Sequence, residues 1–556
     1  MEQVIKSLRE SKSARWTAMV IVSLSMFGAY FFNYAMSPVK PMLESMLGWN
    51  SADFGLYTSS YGWFNVFLFM LIFSGIILDK FGIRITGIGA TALMAKGTGI
   101  NYWALLTTFP EGSMILGIKS QVMLSAFGFA IFGVGTEAAG ITVSKAVVKW
   151  FKGKEMALAM GLQMSIARLG TALALGISLP LAKSFFVTTP VFAAFIFMII
   201  GMIAFIIYTF IDKKLDASEA EERSQEAEDP FKFKDILFII NNRGFWYIAI
   251  LCVLFYSAVF PFLFYATDLM INKYHVNPYF AGSIPSLLPI GTILLTPLFG
   301  SIYDKKGKGA TIMILGSLIL IFVHGFLTIP FINSWLFASA LVIILGIGFS
   351  LVPAAMWPSV PKIIPEKQLG TAYAVIFWIQ NIGLLGIPLL LGIVLNATNP
   401  DVTPNKQIIK DGIAIAFKQT LANDFNLNPE EISKYSEKLS SNVIDSIVQT
   451  TTYDPVPENQ IDTAAIKQEI IKANVDMLAT IDKSGDKDKV LKQAFQTSLN
   501  VTYEILKDKK LNIRYDYFMD MVIFTVLGLL SLIFAFLLKA EDKRKGYGLE
   551  LPNIQK

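Results

Sequence analysis

Two charged residues sit where the chain is otherwise apolar. Glu137 lies in GVGTEAAG (133–140) and Arg168 in SIARLG (165–170), each inside a long hydrophobic stretch. A charged side chain at the centre of a bilayer costs about 2.5–3.5 kcal/mol on insertion scales, so such residues face a cavity or a partner. Glu137 is about ten residues from the inner end of its stretch and Arg168 about thirteen into the next. At about 1.5 Å per residue, both fall near mid-depth. The basic turn KWFKGKE (149–155) reverses the chain between them, so they reach the same level. Two chemistries fit. The pair could simply neutralise itself as a structural strut. Alternatively, the acid could take an ammonium while the guanidinium takes a carboxylate bidentately, which together bind the two ends of a zwitterion. The residues alone leave both open.

The elements that position these charges follow from composition. The chain has 556 residues, of which 54% are hydrophobic and only 16% charged, against about 25% charged in soluble domains. Apolar runs long enough to span a bilayer recur along it. Twelve spans are predicted, near 16–38, 52–78, 84–107, 119–148, 155–180, 189–211, 244–269, 279–303, 310–330, 335–358, 369–396 and 515–538. Lys80, Arg84, Lys149, Lys152, Lys154, Lys213, Lys214, Lys305, Lys306, Lys308, Lys362 and Lys367 cluster on one side. By the positive-inside rule that side is cytoplasmic, and both termini lie there.

The predicted organisation is an N-terminal six-helix bundle (1–211), a cytoplasmic linker (212–243), helices seven to eleven (244–396), a polar insertion (397–514), helix twelve (515–538) and a cytoplasmic tail (539–556). An internal repeat supports the six-plus-six division. GIILDKFG (75–82) and GSIYDKKG (300–307) share Gly-x3-Asp-x2-Gly at the inner end of the second span of each half. Asp79, Arg84 and Asp304 are therefore candidate gating residues. The insertion carries helical spacing of apolar residues, as in AAIKQEIIKANVDMLATI (464–481), and is expected to be a soluble helical unit outside the membrane. It could dock an extracytoplasmic partner.

Other mid-depth polar groups are candidate substrate contacts. Tyr61 and Asn65 are four apart and share a helix face. Tyr30 and Asn33 lie on the first span, Tyr256 on the seventh, and Gln380 and Asn381 on the eleventh. His324 and His275 read as structural or surface residues, and Asp268 as a solvated residue at the outer end of the seventh span. The single cysteine, Cys252, excludes a disulfide framework and a cysteine metal site. Phosphate-loop, His-Glu-x2-His and redox-pair motifs are absent from the sequence, so an enzyme is not expected, nor a cofactor, a metal or nucleic acid.

Four segments carry a family resemblance: YGWFNVFLFMLIFSGIILDKFGIR (61–84), GVGTEAAGITVSKAVVKWFKGKEMALAMGLQMSIARLG (133–170), YSAVFPF (256–262) and WPSVPKIIPEKQLGTAYAVIFWIQNIGL (357–384). They resemble the major facilitator superfamily, and within it the lysosomal dipeptide uniporters of animals. The resemblance implies an all-α membrane protein of twelve helices in two six-helix halves, working by alternating access on a dipeptide-like substrate. It also implies that Glu137 and Arg168 bind the dipeptide termini. The insertion is foreign to the animal proteins, which pair with a separate glycosylated subunit. With one cysteine and plain basic loops, the chain is expected to be a bacterial inner-membrane homologue. The alternatives are an organic-anion or nitrate-type exchanger that uses Arg168 alone, and a non-transporting receptor that senses through 397–514.

Overall fold

The computed structural model describes residues 8–110, 112–151, 154–218, 233–365, 368–420, 428–450, 462–481, 487–506 and 513–552. Lys152, Lys367 and most of the linker between the halves fall outside them. The described chain divides into two compact units, one of residues 1–39, 53–392 and 517–556, the other of 40–52 and 393–516.

The first unit holds the apolar helices. Among the described residues, ten are individually long and apolar enough to cross a membrane: Lys12–Ala35, Ser120–Phe151, Met156–Ser184, Thr189–Ser218, Arg243–Asn272, Pro278–Lys306, Gly309–Thr328, Trp335–Ile363, Leu369–Thr398 and Phe518–Lys545. The second and third spans come from Ser51–Phe67 and Met70–Leu106, which meet at a 58° bend. Two irregularities shape this stretch. Phe69 takes a left-handed conformation (φ 53°) between the helices, and Gly82 (φ 76°) breaks the longer helix where the sequence places the turn between spans two and three. Counted so, the described residues give twelve spans, numbered here first to twelfth in chain order.

Gly82 and Gly307 close the two copies of the repeated motif, and both have positive φ. Only glycine adopts that conformation without steric cost. Gly307 has a second reason. A Cβ there would lie 2.4 Å from the Leu551 carbonyl carbon and 2.6 Å from the Pro552 nitrogen. The chain after the twelfth span folds back over this turn. Lys308 N–H donates to Glu550 O at 3.0 Å, Gly309 N–H to Leu549 O at 2.8 Å, and Thr311 donates through both N–H and Oγ1 to the Glu550 carboxylate.

Within the N-terminal half, the first span packs against the fifth and sixth, and the third against the fourth and sixth. In the C-terminal half the ninth packs on the tenth and twelfth, and the seventh on the twelfth. His324 is buried on the ninth span, with Nε2 3.0 Å from the Ala258 carbonyl and its ring stacked on Phe524. Asp268 corrects the sequence reading. It is fully buried rather than solvated, and it accepts from Asn272 Nδ2 at 2.8 Å and from the Tyr517 hydroxyl. Asn272 follows one helical turn later and Tyr517 precedes the twelfth span, so burial is met by hydrogen bonding.

The second unit is helical: Val402–Gln419, Pro429–Thr450, Thr463–Ala479 and Lys487–Leu506. Ile409, Ile413 and Ala416 recur at intervals of four and three, Ile432, Tyr435, Leu439 and Val443 on the next helix at intervals of three, four and four, and these stripes form its core. The unit also takes in residues 40–52, which the sequence leaves as a bare connection. The reason is a buried charge cluster. Glu44 receives Lys40 at 2.7 Å and Lys406 at 2.5 Å, with all three residues at most 4% exposed, and both ammonium groups lie over the Tyr515 ring. Burial pushes the Glu44 carboxyl up, but the two lysines outweigh it and hold it below its ordinary value.

Candidate functional site

A cavity of about 260 Å³ opens between the two six-helix halves of the first unit. Of the residues singled out in the sequence, Tyr30, Asn33, Tyr61, Glu137, Arg168, Tyr256 and Gln380 line it. They come from the first, second, fourth, fifth, seventh and eleventh spans, so only the tertiary fold assembles them.

Glu137 and Arg168 share this cavity, yet no ion pair joins them among the described residues. The Tyr61 hydroxyl donates to Glu137 Oε1 at 2.9 Å, and Asn381 also approaches the carboxylate. Arg168 donates through Nη1 to Thr292 Oγ1 at 3.0 Å, and its guanidinium lies 5.0 Å from the centre of the Phe349 ring. The acid is therefore held by its own half and the eleventh span, and the guanidinium by the eighth and tenth. Each keeps unused hydrogen-bonding capacity, because a carboxylate accepts at two oxygens and a guanidinium donates five N–H groups. Asn33 Oδ1 and the Tyr34 hydroxyl are buried on the same wall without a hydrogen-bond partner among the described residues.

Apart from Thr58, Thr136 and Thr171, the rest of the lining is mainly aromatic and aliphatic. Tyr256 accepts from Trp357 Nε1 at 3.0 Å, and Phe260, Phe349 and Phe377 complete a wall on the C-terminal half. Two sequence candidates fall outside the lining. Asn65 is buried and donates back to Tyr61 O at 3.4 Å; the helix changes to a 3-10 turn at Ser60–Gly62, so Tyr61 and Asn65 do not present one regular face. Asn381 donates to Phe377 O at 3.0 Å within its own helix. Thr292, Tyr34 and Phe349 were missed by sequence reasoning. Thr292 could have been found as a polar residue midway along an apolar span, whereas nothing in the sequence distinguishes Phe349 from the other 43 phenylalanines.

The halves touch at the ends away from the chain termini. There the second span meets the eleventh so closely that a Cβ on Gly55 would lie 2.7 Å from Pro388 O, and the fifth meets the eighth with Leu175 O 1.9 Å from a Cβ on Gly282. Toward the termini these pairs part. Leu158, Leu162 and Met164 on the fifth span and Leu294 and Leu298 on the eighth are all exposed, and Gly75, Gly161, Gly291 and Gly300 have open space around them. The cavity thus opens toward the side of the termini.

The candidate gating residues lie on that side. Asp79 pairs with Lys145 at 2.9 Å, both side chains partly exposed. Arg84 pairs with buried Asp212 at 2.8 Å and also with Asp216; Lys149 joins the same two acids at 2.6 and 2.8 Å. Asp212 was not anticipated, because it ends an apolar run where interfacial solvation would explain it. Asp304 occupies the equivalent turn of the C-terminal half, half-buried.

The sequence model of the Major Facilitator Superfamily matches residues 22–388. The chain belongs to that superfamily. Two similar curated relatives are both described as lysosomal dipeptide transporter MFSD1. The protein from Danio rerio is 29% identical over 393 residues, covering 66% of this chain and 78% of the relative. The protein from Homo sapiens is 28% identical over 382 residues, covering 67% and 78%. Among solved structures, a bacterial homologue of the human lysosomal transporter Spinster, in an inward-facing and occupied conformation, aligns with a TM-score of 0.53 at 12% identity, covering 95% of this chain and 98% of that one. The two-halved, twelve-helix facilitator fold with a helical insertion between the last two helices is the fold of this protein. As a superfamily member it is a multi-pass membrane protein and a secondary transporter of small molecules, not an enzyme.

Proposed function

We propose that the protein carries small zwitterions, dipeptides first among them, by alternating access, with Glu137 holding the ammonium and Arg168 the carboxylate. The observation that carries this reading is that the two charges line one cavity without neutralising each other. A buried charge left without a countercharge is costly, and a ligand that brings one of each sign relieves both at once. The cavity size supports a small solute, since 260 Å³ lies just under the span of about 300–1,000 Å³ common for small-molecule sites. Tyr30, Asn33, Tyr61, Tyr256 and Gln380 orient the peptide unit, while Asn65 and Asn381 support Tyr61 and Glu137 from behind. The dipeptide description of the relatives points the same way.

In this reading the termini are cytoplasmic, the present conformation is open inward, and 397–514 lies outside, in the cell membrane of a bacterium. The N-terminal bundle (1–211) and the C-terminal spans move about the midplane site, as in other two-halved carriers. Asp79, Arg84 and Asp304 control the inner closure. A thermal-shift screen of the purified full chain against dipeptides, free amino acids and organic anions tests the proposal. Dipeptides near 100 times their dissociation constant should add about 2.7 kcal/mol. Stabilisation by mono-anions that lack an amine, with none by dipeptides, would replace the zwitterion clamp by an anion site at Arg168.

A further inference from the structure

Lys96 stands apart from everything the transport site uses. It lies on the third span, twelve residues after Arg84 and ten before Leu106, hence about 18 Å and about 15 Å along the helix from those ends. With a hydrocarbon core about 30 Å thick, that is close to the bilayer midplane. Unlike Glu137 and Arg168, it points away from the cavity and is exposed on the outer face. Among the described residues, no hydrogen bond or ion pair reaches it. It borders a groove of about 420 Å³ between the third and sixth spans, whose other walls are Ala95, Gly99, Ile100, Trp103, Phe195 and Ile199. The surrounding face is apolar, with Leu93, Phe192, Ile196, Ile200 and Ile203 exposed.

We propose that this groove receives a transmembrane helix of a partner protein that carries an Asp or Glu near the bilayer midplane. Charge fixes the sign of the occupant and depth fixes its kind. Lipid phosphates sit at the interface, beyond the reach of a lysine stem anchored at mid-depth, whereas a helix presents a carboxylate at any chosen level. Ala95 and Gly99, small residues four apart, line the groove, with Gly99 against Phe195 of the opposite wall, so little side chain fills its floor. The occupant is not a second copy of this chain. Of its own deep carboxylates, Glu137 lines the cavity and Asp268 is buried and hydrogen-bonded.

The test uses the full chain in phosphatidylcholine vesicles, with a fluorescent donor on Leu116→Cys in the exposed turn beyond the third span. Acceptor-labelled leucine-alanine transmembrane peptides carry one central Glu, Gln or Lys. The Glu peptide should bind about tenfold tighter than the Gln peptide, the range expected of a membrane hydrogen-bonded contact. Lys96→Leu should erase that preference, and Lys96→Glu should transfer it to the Lys peptide. Equal binding of the Glu and Gln peptides, or a Glu preference that survives Lys96→Leu, overturns the proposal. So does a Lys96-dependent thermal stabilisation by phosphatidylglycerol vesicles without any peptide preference, which would make the groove a lipid site.

Discussion

Replacing Glu137 by Gln separates a substrate clamp from a structural strut, and the geometry gives the size of the effect. The amide keeps an oxygen to accept from Tyr61, now 2.9 Å away, and Arg168 keeps Thr292 and Phe349. The substitution therefore orphans no partner. Removing a charge near mid-depth recovers about 2.5–3.5 kcal/mol of insertion cost, while weakening one charged hydrogen bond returns about 1.5–3 kcal/mol, so the unliganded protein should change little in stability. Binding should change much more. An ammonium that loses its carboxylate forfeits about 1.5–3 kcal/mol, which is about 10- to 150-fold in Kd. At a dipeptide concentration 100 times the original Kd, the ligand-induced stabilisation should fall from about 2.7 kcal/mol to between about 1.4 and 0.3 kcal/mol. N-acetylated dipeptides, which bring no ammonium, should respond equally to the original protein and to the variant. Arg168→Gln should show the mirror pattern with C-amidated peptides, and the double variant should fold yet fail to bind. The assay is the thermal shift of purified protein with free, N-capped and C-capped dipeptides. Two results refute the reasoning: an unchanged response of Glu137→Gln to free dipeptides, or a collapse of its unliganded stability.

Asp79→Asn should alter transport rate more than ligand affinity, and cost at most about 1 kcal/mol of stability, because its pair with Lys145 is partly exposed; vesicle uptake alongside binding measures both. Gly282→Val should wedge the fifth and eighth spans apart where Leu175 O leaves no room, shifting the population toward opening on that side. Alkylation of an engineered Met164→Cys, in the cavity now open toward the termini, should slow severalfold, and the native Cys252 is buried enough not to interfere. Glu44→Gln should destabilise the second unit by about 3–5 kcal/mol, since it strands Lys40 and Lys406 together, whereas Lys406→Met leaves a neutral pair and costs less. Because the folded Glu44 carboxyl titrates below its unfolded value, its contribution is complete above about pH 4.3 and drains away as pH falls through the folded value. Fluorescence of buried Trp49 during acid titration should show that loss in the original protein and not in Glu44→Gln.

The spans were legible in the sequence because a bilayer admits only long apolar helices, and because Gly-x3-Asp-x2-Gly at 75–82 and 300–307 marks the same turn twice. Glu137 and Arg168 were legible for a related reason: a charge that costs several kcal/mol in lipid is conspicuous wherever it occurs. Their separation was not. Whether they pair depends on how the fourth and fifth spans rotate against the eighth and tenth, and those contacts are long-range. Phe349 was hidden for the same cause, whereas the loss of Asn65 from the cavity has a local one, the 3-10 turn at Ser60–Gly62. Asp268 looked like a solvated helix end, and Asp212 was only the first residue of the expected linker, since sequence gives depth along a helix but not the direction a side chain faces. The second unit repeats the lesson. Apolar spacing revealed its helices, yet only the fold could bring Lys406 to Glu44 across more than 360 residues and so draw the first connection into the insertion. Local periodicity determined the elements; the packing of elements distant in sequence decided which charges meet.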